Sequence, residues 1–488
     1  MHTELFHHLL EPRAVAFIGA SHNVFKWGFN ILHNIIRGQY AGRIYPVNPQ
    51  GGQWYGQPIY RTLEEVPDPV DLAVIVVARE LVLPTVALCV QKNIPAGVII
   101  TAGFSETGEE GRALEATVVA AARTGGMRLV GPNTMGIFSG YPSPFQAIMS
   151  AAAIPEGAVA LIVQSGNLGA SLGYRFSRRG IGLSRMISSG NEADLSMEDY
   201  LELLERDEKT RLICLYIEGV REGPRFFETA RRIGRTKPIL LLKGGVTASG
   251  ALAARSHTGA MAGNDVVFRH ICRQAGIIQV ETMDEMADTV GMFLSQPRPA
   301  GKRVGIVTLG GGWGVLAADL CEAVGLEVAP LSDRVVAMMD GFLPPFWSRR
   351  NPVDLVAPNG VAVIIDAVRV LIEHGGMDAV LMLGLGYSTI RAKRWLDSPI
   401  VPQADVEKQA GMMISEERKL LDLLIEQIQQ YRKPIIPVID IVTFDEVMEN
   451  NPVHYLERHG IMSYSAPDPA IRALANVTTY YARTEEPF

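Results

Sequence analysis

The chain has 488 residues, 48% of them hydrophobic and 20% charged, with a net charge of −7. That length exceeds one ordinary core and implies about three domains. The acidic balance excludes a general electrostatic grip on nucleic acid, so anionic ligands need local devices such as helix N-termini. Cys89, Cys214, Cys272 and Cys321 are scattered and show no metal-type pairing, which fits the reduced thiols of a cytoplasmic protein. No cationic start leads into an apolar core, and no apolar run approaches a membrane span. Neither a secretory leader nor a membrane-crossing segment is expected.

Short apolar, β-branched runs alternate with helical-period segments along the chain, the pattern of parallel βαβ units and an α/β fold. Strands are predicted at Val15–Ile18, Arg43–Val47, Leu72–Val77, Gly97–Ile100 and Arg128–Val130. They make a Rossmann-like domain over residues 1–140, and Tyr141-Pro142-Ser143-Pro144 reads as a crossing between domains. A second α/β domain, 150–296, runs through Val159–Val163, Ser184–Ile187, Leu212–Ile217 and Pro238–Lys243. Pro297-Arg298-Pro299-Ala300-Gly301 reads as a linker. A third, 302–488, opens at Val304–Thr308 and continues at Ala379–Leu383 and Ile435–Ile439. Between those later strands, Arg391 to Lys419 is polar and reads as a long excursion or lid.

Ligands of open parallel sheets gather beyond the carboxyl ends of the strands. In the first domain, Gly19-Ala20-Ser21 looks like a dinucleotide-binding turn. Two features disfavour NAD: Gly28 comes too late for the G-x-G-x-x-G spacing, and Pro46-Val47-Asn48-Pro49 offers no acid for a ribose. In the second domain the strand ends are Gln164–Gly169, Ser188–Asn191, Glu218-Gly219 and Gly244-Gly245, leading on to His257. Ser165, Gly166 and Asn167 open a helix and suit an anion. Ser165 is not a hydrolase nucleophile, because Val163 stands where the nucleophile elbow needs glycine. His257 lacks a partner at ligand spacing, so no metal site is expected. A loop histidine bonded to backbone is the ordinary alternative for His257, as a solvent-facing acid is for Glu218. Lys243 reads equally as a structural cation or a phosphate contact.

The run Ser256-His257-Thr258-Gly259-Ala260 resembles the phosphohistidine loop of the nucleoside-diphosphate-forming acyl-CoA synthetases, relatives of succinyl-CoA synthetase. The first domain resembles that family's CoA-binding domain through Gly19-Ala20-Ser21, Lys26, Pro46–Pro49, Val76-Val77, Thr101-Ala102-Gly103-Phe104 and Gly131-Pro132-Asn133. Ala78 departs from it, standing where a proline commonly follows the valine pair. In the third domain, Gly310–Gly314 and Asn351–Leu355 also match, although Leu309 and Trp313 are unusual there; structural turns are expected.

The resemblance implies a CoA-binding Rossmann-like domain followed by two flavodoxin-like domains. It implies a CoA site at Gly19, Ala20, Ser21, Lys26, Val47, Asn48, Pro49, Val77, Thr101, Ala102, Gly103 and Asn133. It implies phosphate contacts at Ser165, Gly166, Asn167 and Gly259, with His257 as phosphoryl carrier and Glu218 as the carboxylate that orients it. The chain would be an alpha-type subunit interconverting acyl-CoA, ADP and phosphate with carboxylic acid, CoA and ATP. ADP or ATP with Mg2+ would sit on an ATP-grasp beta chain, in a cytoplasmic homo- or hetero-oligomer. Two other readings stay open: a CoA-ester-binding regulator without catalysis, and a NAD(P)-binding oxidoreductase.

Overall fold

Runs such as Leu72–Ile75 are apolar at every position because both faces of a parallel strand are covered; all four residues are buried. The computed structural model describes residues 2–67, 69–150, 154–252, 265–355, 360–400, 402–443 and 450–485. It divides into two units, Met1–Met286 and Ala287–Phe488.

In chain order the first strands are β1 (Ala14–Ile18), β2 (Arg43–Val47), β3 (Gly52–Trp54), β4 (Gln57–Ile59), β5 (Leu72–Ile75), β6 (Ala96–Ile99) and β7 (Arg128–Val130). β3 and β4 form a separate short hairpin, and the others form a parallel sheet in the order β2-β1-β5-β6-β7. The chain steps from β1 to β2 on one side and returns to β5 on the other. The switch point therefore lies between β1 and β5, where a crevice opens beyond the strand ends.

The second sheet contains β8 (Gly136–Ser139), β9 (Phe145–Ile148), β10 (Glu156–Val163), β11 (Leu183–Ser188), β12 (Leu212–Ile217), β13 (Ile239–Lys243) and β14 (Ile278–Val280). Its order is β14-β13-β12-β10-β11-β8-β9. β10 to β14 run parallel, whereas β8 pairs antiparallel with β11 and β9. The segment read as a domain crossing, 141–144, is instead the turn of the β8–β9 hairpin, and it extends this sheet. The second switch point lies between β10 and β12.

One apolar cluster runs through both sheets, from Phe17, Val74 and Val98 to Ile162, Leu215 and Leu241. A buried guanidinium pins the N-terminal helix His2–Leu10 alongside: Arg185 pairs with Asp207 at 3.0 Å and with Glu11 at 2.8 Å.

The second unit carries β15 (Arg303–Thr308), β16 (Glu327–Val328), β17 (Val353–Asp354), β18 (Ala379–Leu383) and β19 (Ile435–Val438). The order is β16-β15-β18-β19, parallel, with β17 pairing onto β15. Asn351 serves the backbone here. Its amide accepts from Ile306 N at 3.0 Å and donates to the carbonyls of Val304 and Ala329.

The polar stretch 391–419 is no irregular excursion. Helices occupy Tyr387–Leu396 and Gln403–Gln430. The buried Glu417 carboxylate accepts from the amides of Gly386 and Thr389, both at 2.6 Å, satisfying groups that a helix start leaves unpaired. Among the described residues no helix is long and apolar enough to cross a membrane.

Candidate active site

The first switch point is tight because glycine makes it so. Gly19 follows β1 with φ +105°, and a Cβ there would lie 2.1 Å from Val76 O. Gly28, in the first turn of helix Trp27–Arg37, has no room for a Cβ against Gly19 O, again at 2.1 Å. Helix start and strand end are thereby pressed together, with Lys26, exposed, just before the helix.

The amides of Gly19 and Ala20 both donate to Val47 O, and Asn48 Nδ2 donates to Ala20 O at 2.8 Å. Asn48 thus spends its side chain on the neighbouring turn. Ser21 Oγ accepts from Asn23 N, and Pro49 is exposed. At the far side of the crevice Thr101 Oγ1 donates to Val77 O at 2.6 Å, and Gly103 N donates to Glu106 at 2.6 Å.

A cleft of about 440 Å³ lies beyond the ends of β5, β6 and β10. Val77, Thr101, Ala102 and Asn133 line it from the first sheet, Ser165, Gly166 and Asn167 from the second, with Trp27, Met135 and Met149 as apolar walls. Gly19, Ala20, Ser21, Lys26, Val47, Asn48, Pro49 and Gly103 are not among its lining residues. Two larger hollows, about 730 and 670 Å³, lie along the N-terminal helix and contain none of the predicted site residues.

Ser165 starts helix Gly166–Arg178, and its own side chain makes no capping bond there. The amides there stay available to an anion, aided by the helix dipole.

The two sheets are also joined by side chains. Asn133, at φ 57°, donates to Asn191 Oδ1 at 3.2 Å. Asn191 in turn donates to Glu106 at 2.6 Å and Glu115 at 2.8 Å. Asn133 therefore serves this junction as well as lining the cleft.

At the second switch point Gln164 ends β10 and Glu218 follows β12. Gln164 Oε1 accepts from the amides of Glu218 at 2.5 Å and Gly219 at 3.2 Å. Its Nε2 donates to Gly219 O at 2.8 Å and to Glu192 Oε1 at 3.1 Å. From the other side Lys243 Nζ donates to the carbonyls of Glu218, at 2.6 Å, and Gly244. Lys243 thus braces the turn.

The Glu218 side chain is buried and accepts from Tyr216 OH at 3.3 Å. Burial, then the Glu218 charge, pushes the Tyr216 hydroxyl up to about 12. Glu192 is fully buried, which pushes its carboxyl up to about 7 against the hydrogen bonds of Ser189 and Gln164.

Gln164 and Glu192 were not singled out as functional in the sequence. Their only signal was position: Gln164 directly precedes Ser165, and Glu192 directly follows the Ser188–Asn191 turn. His257 and Gly259 lie outside the described residues. Among the described residues no three His, Cys, Asp or Glu side chains converge as a metal site.

Residues 13–139 match a family described as a CoA binding domain, and residues 156–293 match the succinyl-CoA ligase like flavodoxin domain. The alpha subunit of acetate–CoA ligase [ADP-forming] II from Pyrococcus furiosus is 34% identical over 96% of this chain and 96% of its own. The chain belongs to the ADP-forming acetate–CoA ligase family.

Among solved structures, a similar chain is the dinucleotide forming acetyl-coenzyme A synthetase 1 of Ca. Korarchaeum cryptofilum, in complex with phosphate and ADP. It has a TM-score of 0.83 at 30% identity, over 99% of this chain and 98% of that one. Acetate–CoA ligase [ADP-forming] I of Archaeoglobus fulgidus is a longer ADP-forming ligase: 77% of this chain, at 36% identity, accounts for 54% of it.

Proposed function

We propose that this chain is the alpha-type subunit of an ADP-forming acyl-CoA ligase and carries its CoA and phosphoryl-transfer chemistry. The observation that carries this reading is the single cleft in which Thr101 and Asn133 face Ser165–Asn167. Gln164 links that cleft to Glu218 by one side chain. CoA binds the first-domain side of the cleft, at Val77, Thr101, Ala102 and Asn133, and extends over Gly19–Ser21, Lys26, Val47–Pro49 and Gly103 beyond the cleft lining. Residues 1–140 form the CoA-binding domain, 150–296 the ligase-like domain with His257, and 302–488 a second ligase-like domain.

The reaction runs in three balanced steps. Phosphate oxygen attacks the acyl carbonyl, the C–S bond breaks, and CoA leaves with its sulfur as acyl phosphate forms. The amides at Ser165, Gly166 and Asn167 and the helix dipole hold the phosphate charge. The neutral His257 nitrogen then attacks phosphorus, the P–O bond to the acyl group breaks, and the carboxylate departs. Glu218, bonded to the other ring nitrogen, stabilises the positive phosphoimidazole. Finally an ADP oxygen takes the phosphoryl group and neutral imidazole returns.

The nucleotide, with Mg2+, belongs to an ATP-grasp beta chain in a hetero-oligomer working in the cytoplasm. The Pyrococcus furiosus relative, named as a subunit alpha and matched over 96% of its own length, supports this. A NAD-dependent reading is disfavoured, since Asn48 follows β2, where an acid would be needed, and is bonded to Ala20 O.

Incubating the chain with acetyl-CoA and labelled inorganic phosphate tests the reading. It expects an acid-labile, base-stable phosphoprotein, with nucleoside triphosphate appearing only when an ATP-grasp partner is added. An unlabelled wild-type chain would overturn it.

A further inference from the structure

Resting on the reading of Glu218 as the carboxylate that orients His257, we propose that Gln164 is a positioning residue for phosphoryl transfer, held in its working orientation by Glu192. The amide of Gln164 has an accepting and a donating end, and every neighbour demands one of them. Two N–H groups, from Glu218 and Gly219, face Oε1, and two oxygens, Gly219 O and Glu192 Oε1, face Nε2. A flipped amide would set NH2 against two donors and its carbonyl against a carboxyl. The orientation is therefore determined by its surroundings.

The position of Gln164 gives this consequence. Residue 164 immediately precedes Ser165, which starts the anion-holding helix. One residue thus ties the phosphate-facing helix on β10 to the carboxylate turn on β12, across the switch point. A displaced Glu218 would misdirect the imidazole, and small misplacements of reacting groups are costly.

Glu192 is the second member. It sits at φ 53°, accepts from Ser189 Oγ at 2.8 Å, and has no solvent exposure around its carboxyl to compete for the bond. The charged and titratable groups facing it are Glu198 and Tyr200 of helix Met197–Glu205, and Arg221 beyond β12. Glu198 disfavours its charge and Arg221 favours it. As a carboxylate, Glu192 makes the bond from Gln164 charge-assisted and firm; protonated, it accepts more weakly. The turn that holds Glu218 is accordingly tighter above the Glu192 titration than below it.

The test is the single-turnover rate of labelling of the full chain by acetyl-CoA and labelled phosphate, measured across about pH 6 to 8, around the Glu192 titration. Gln164→Met keeps the side-chain length and removes all four bonds. It is expected to slow labelling roughly tenfold to a hundredfold at saturating acetyl-CoA, without moving the half-saturating acetyl-CoA concentration. Glu192→Gln is expected to flatten the rise of rate with pH. Ser189→Ala, which removes one hydrogen bond from the carboxylate, is expected to move that rise to higher pH. Should Gln164→Met not fold, the pH profiles of the other two variants decide alone. Wild-type labelling combined with unchanged rates and profiles in the variants would overturn the role of Gln164. Failure of the wild-type chain to label would instead strike at His257 itself.

Discussion

The second and third sheets open in the same way, with a strand, a glycine turn and a helix at a switch point, yet their crevices differ in content. After β10, Gln164 and the start of Gly166–Arg178 face a cleft. After β15, the turn Gly310-Gly311 faces the ring of Trp313. A Cβ at Gly384, the corresponding end of β18, would lie 2.6 Å from that ring. Asp354 and Asp440 stand nearby; a Cβ on Gly311 would be 2.7 Å from Asp354 Oδ2, and burial pushes the Asp440 carboxyl up. Neither helix start is capped by its own N-cap side chain, but the third opening sets indole and acid beside it. Topology marks where a ligand can bind; the side chains on adjoining strand ends decide whether one does.

The largest expected effect separates the openings outright. His257→Ala should abolish labelling by acetyl-CoA and phosphate, while Asp354→Asn, in the third opening, should leave the label in place. Label surviving in the His257→Ala chain would break the distinction.

Next comes pH. The Glu192 carboxyl is raised in the folded chain, so the unfolded chain binds fewer protons between pH 4.5 and about 7. Stability from this group is complete below the unfolded value and is lost as pH rises through about 7. The loss is on the order of 3 kcal/mol. Urea midpoints at pH 5 and 8 should differ less in Glu192→Gln than in wild type, and an equal difference in both would remove Glu192 as the source.

Glu218→Gln keeps the shape of the turn but removes the charge. A charge-assisted bond is worth about 1.5–3 kcal/mol, so labelling should slow roughly tenfold to a hundredfold. CoA affinity, measured by calorimetry, should change far less. An unchanged rate would return Glu218 to a purely structural place.

The smallest effect contrasts two helix-start glycines. In Gly311→Ala the new methyl meets only the end of the Asp354 side chain, so stability should shift by less than about 1 kcal/mol. In Gly166→Ala it would lie 2.2 Å from Met135 Cγ, driving Met135 into the cleft and weakening CoA binding. Equal CoA affinity in both variants would contradict the cleft as the binding place.

Much of this was readable from the sequence, and for a physical reason. Strands buried on both faces, such as Leu212–Ile217, are written as continuous apolar runs, and strand-end turns as glycine and asparagine. What escaped detection depended on partners distant in sequence. Gln164 and Glu192 acquire their roles only when β10, β11 and β12 lie side by side. The β8–β9 hairpin escaped because Tyr141-Pro142-Ser143-Pro144 looks like a boundary. The helix Gln403–Gln430 escaped because its first half buries little beyond Val406 and Ala410, while Leu420, Leu421, Leu424, Ile425 and Ile428, which pack into the core, come late.

The junction of Asn191 with Asn133, Glu106 and Glu115 lies above an apolar core shared by the two sheets. The span from Thr101 to Ser165 is consequently a gauge braced from both sheets. For inhibitor chemistry, a molecule bearing a thioester mimic and a phosphate mimic must arrive with its spacer already cut to that gauge. A floppy spacer would sacrifice affinity to its own ordering, and one too long would have nowhere to bow.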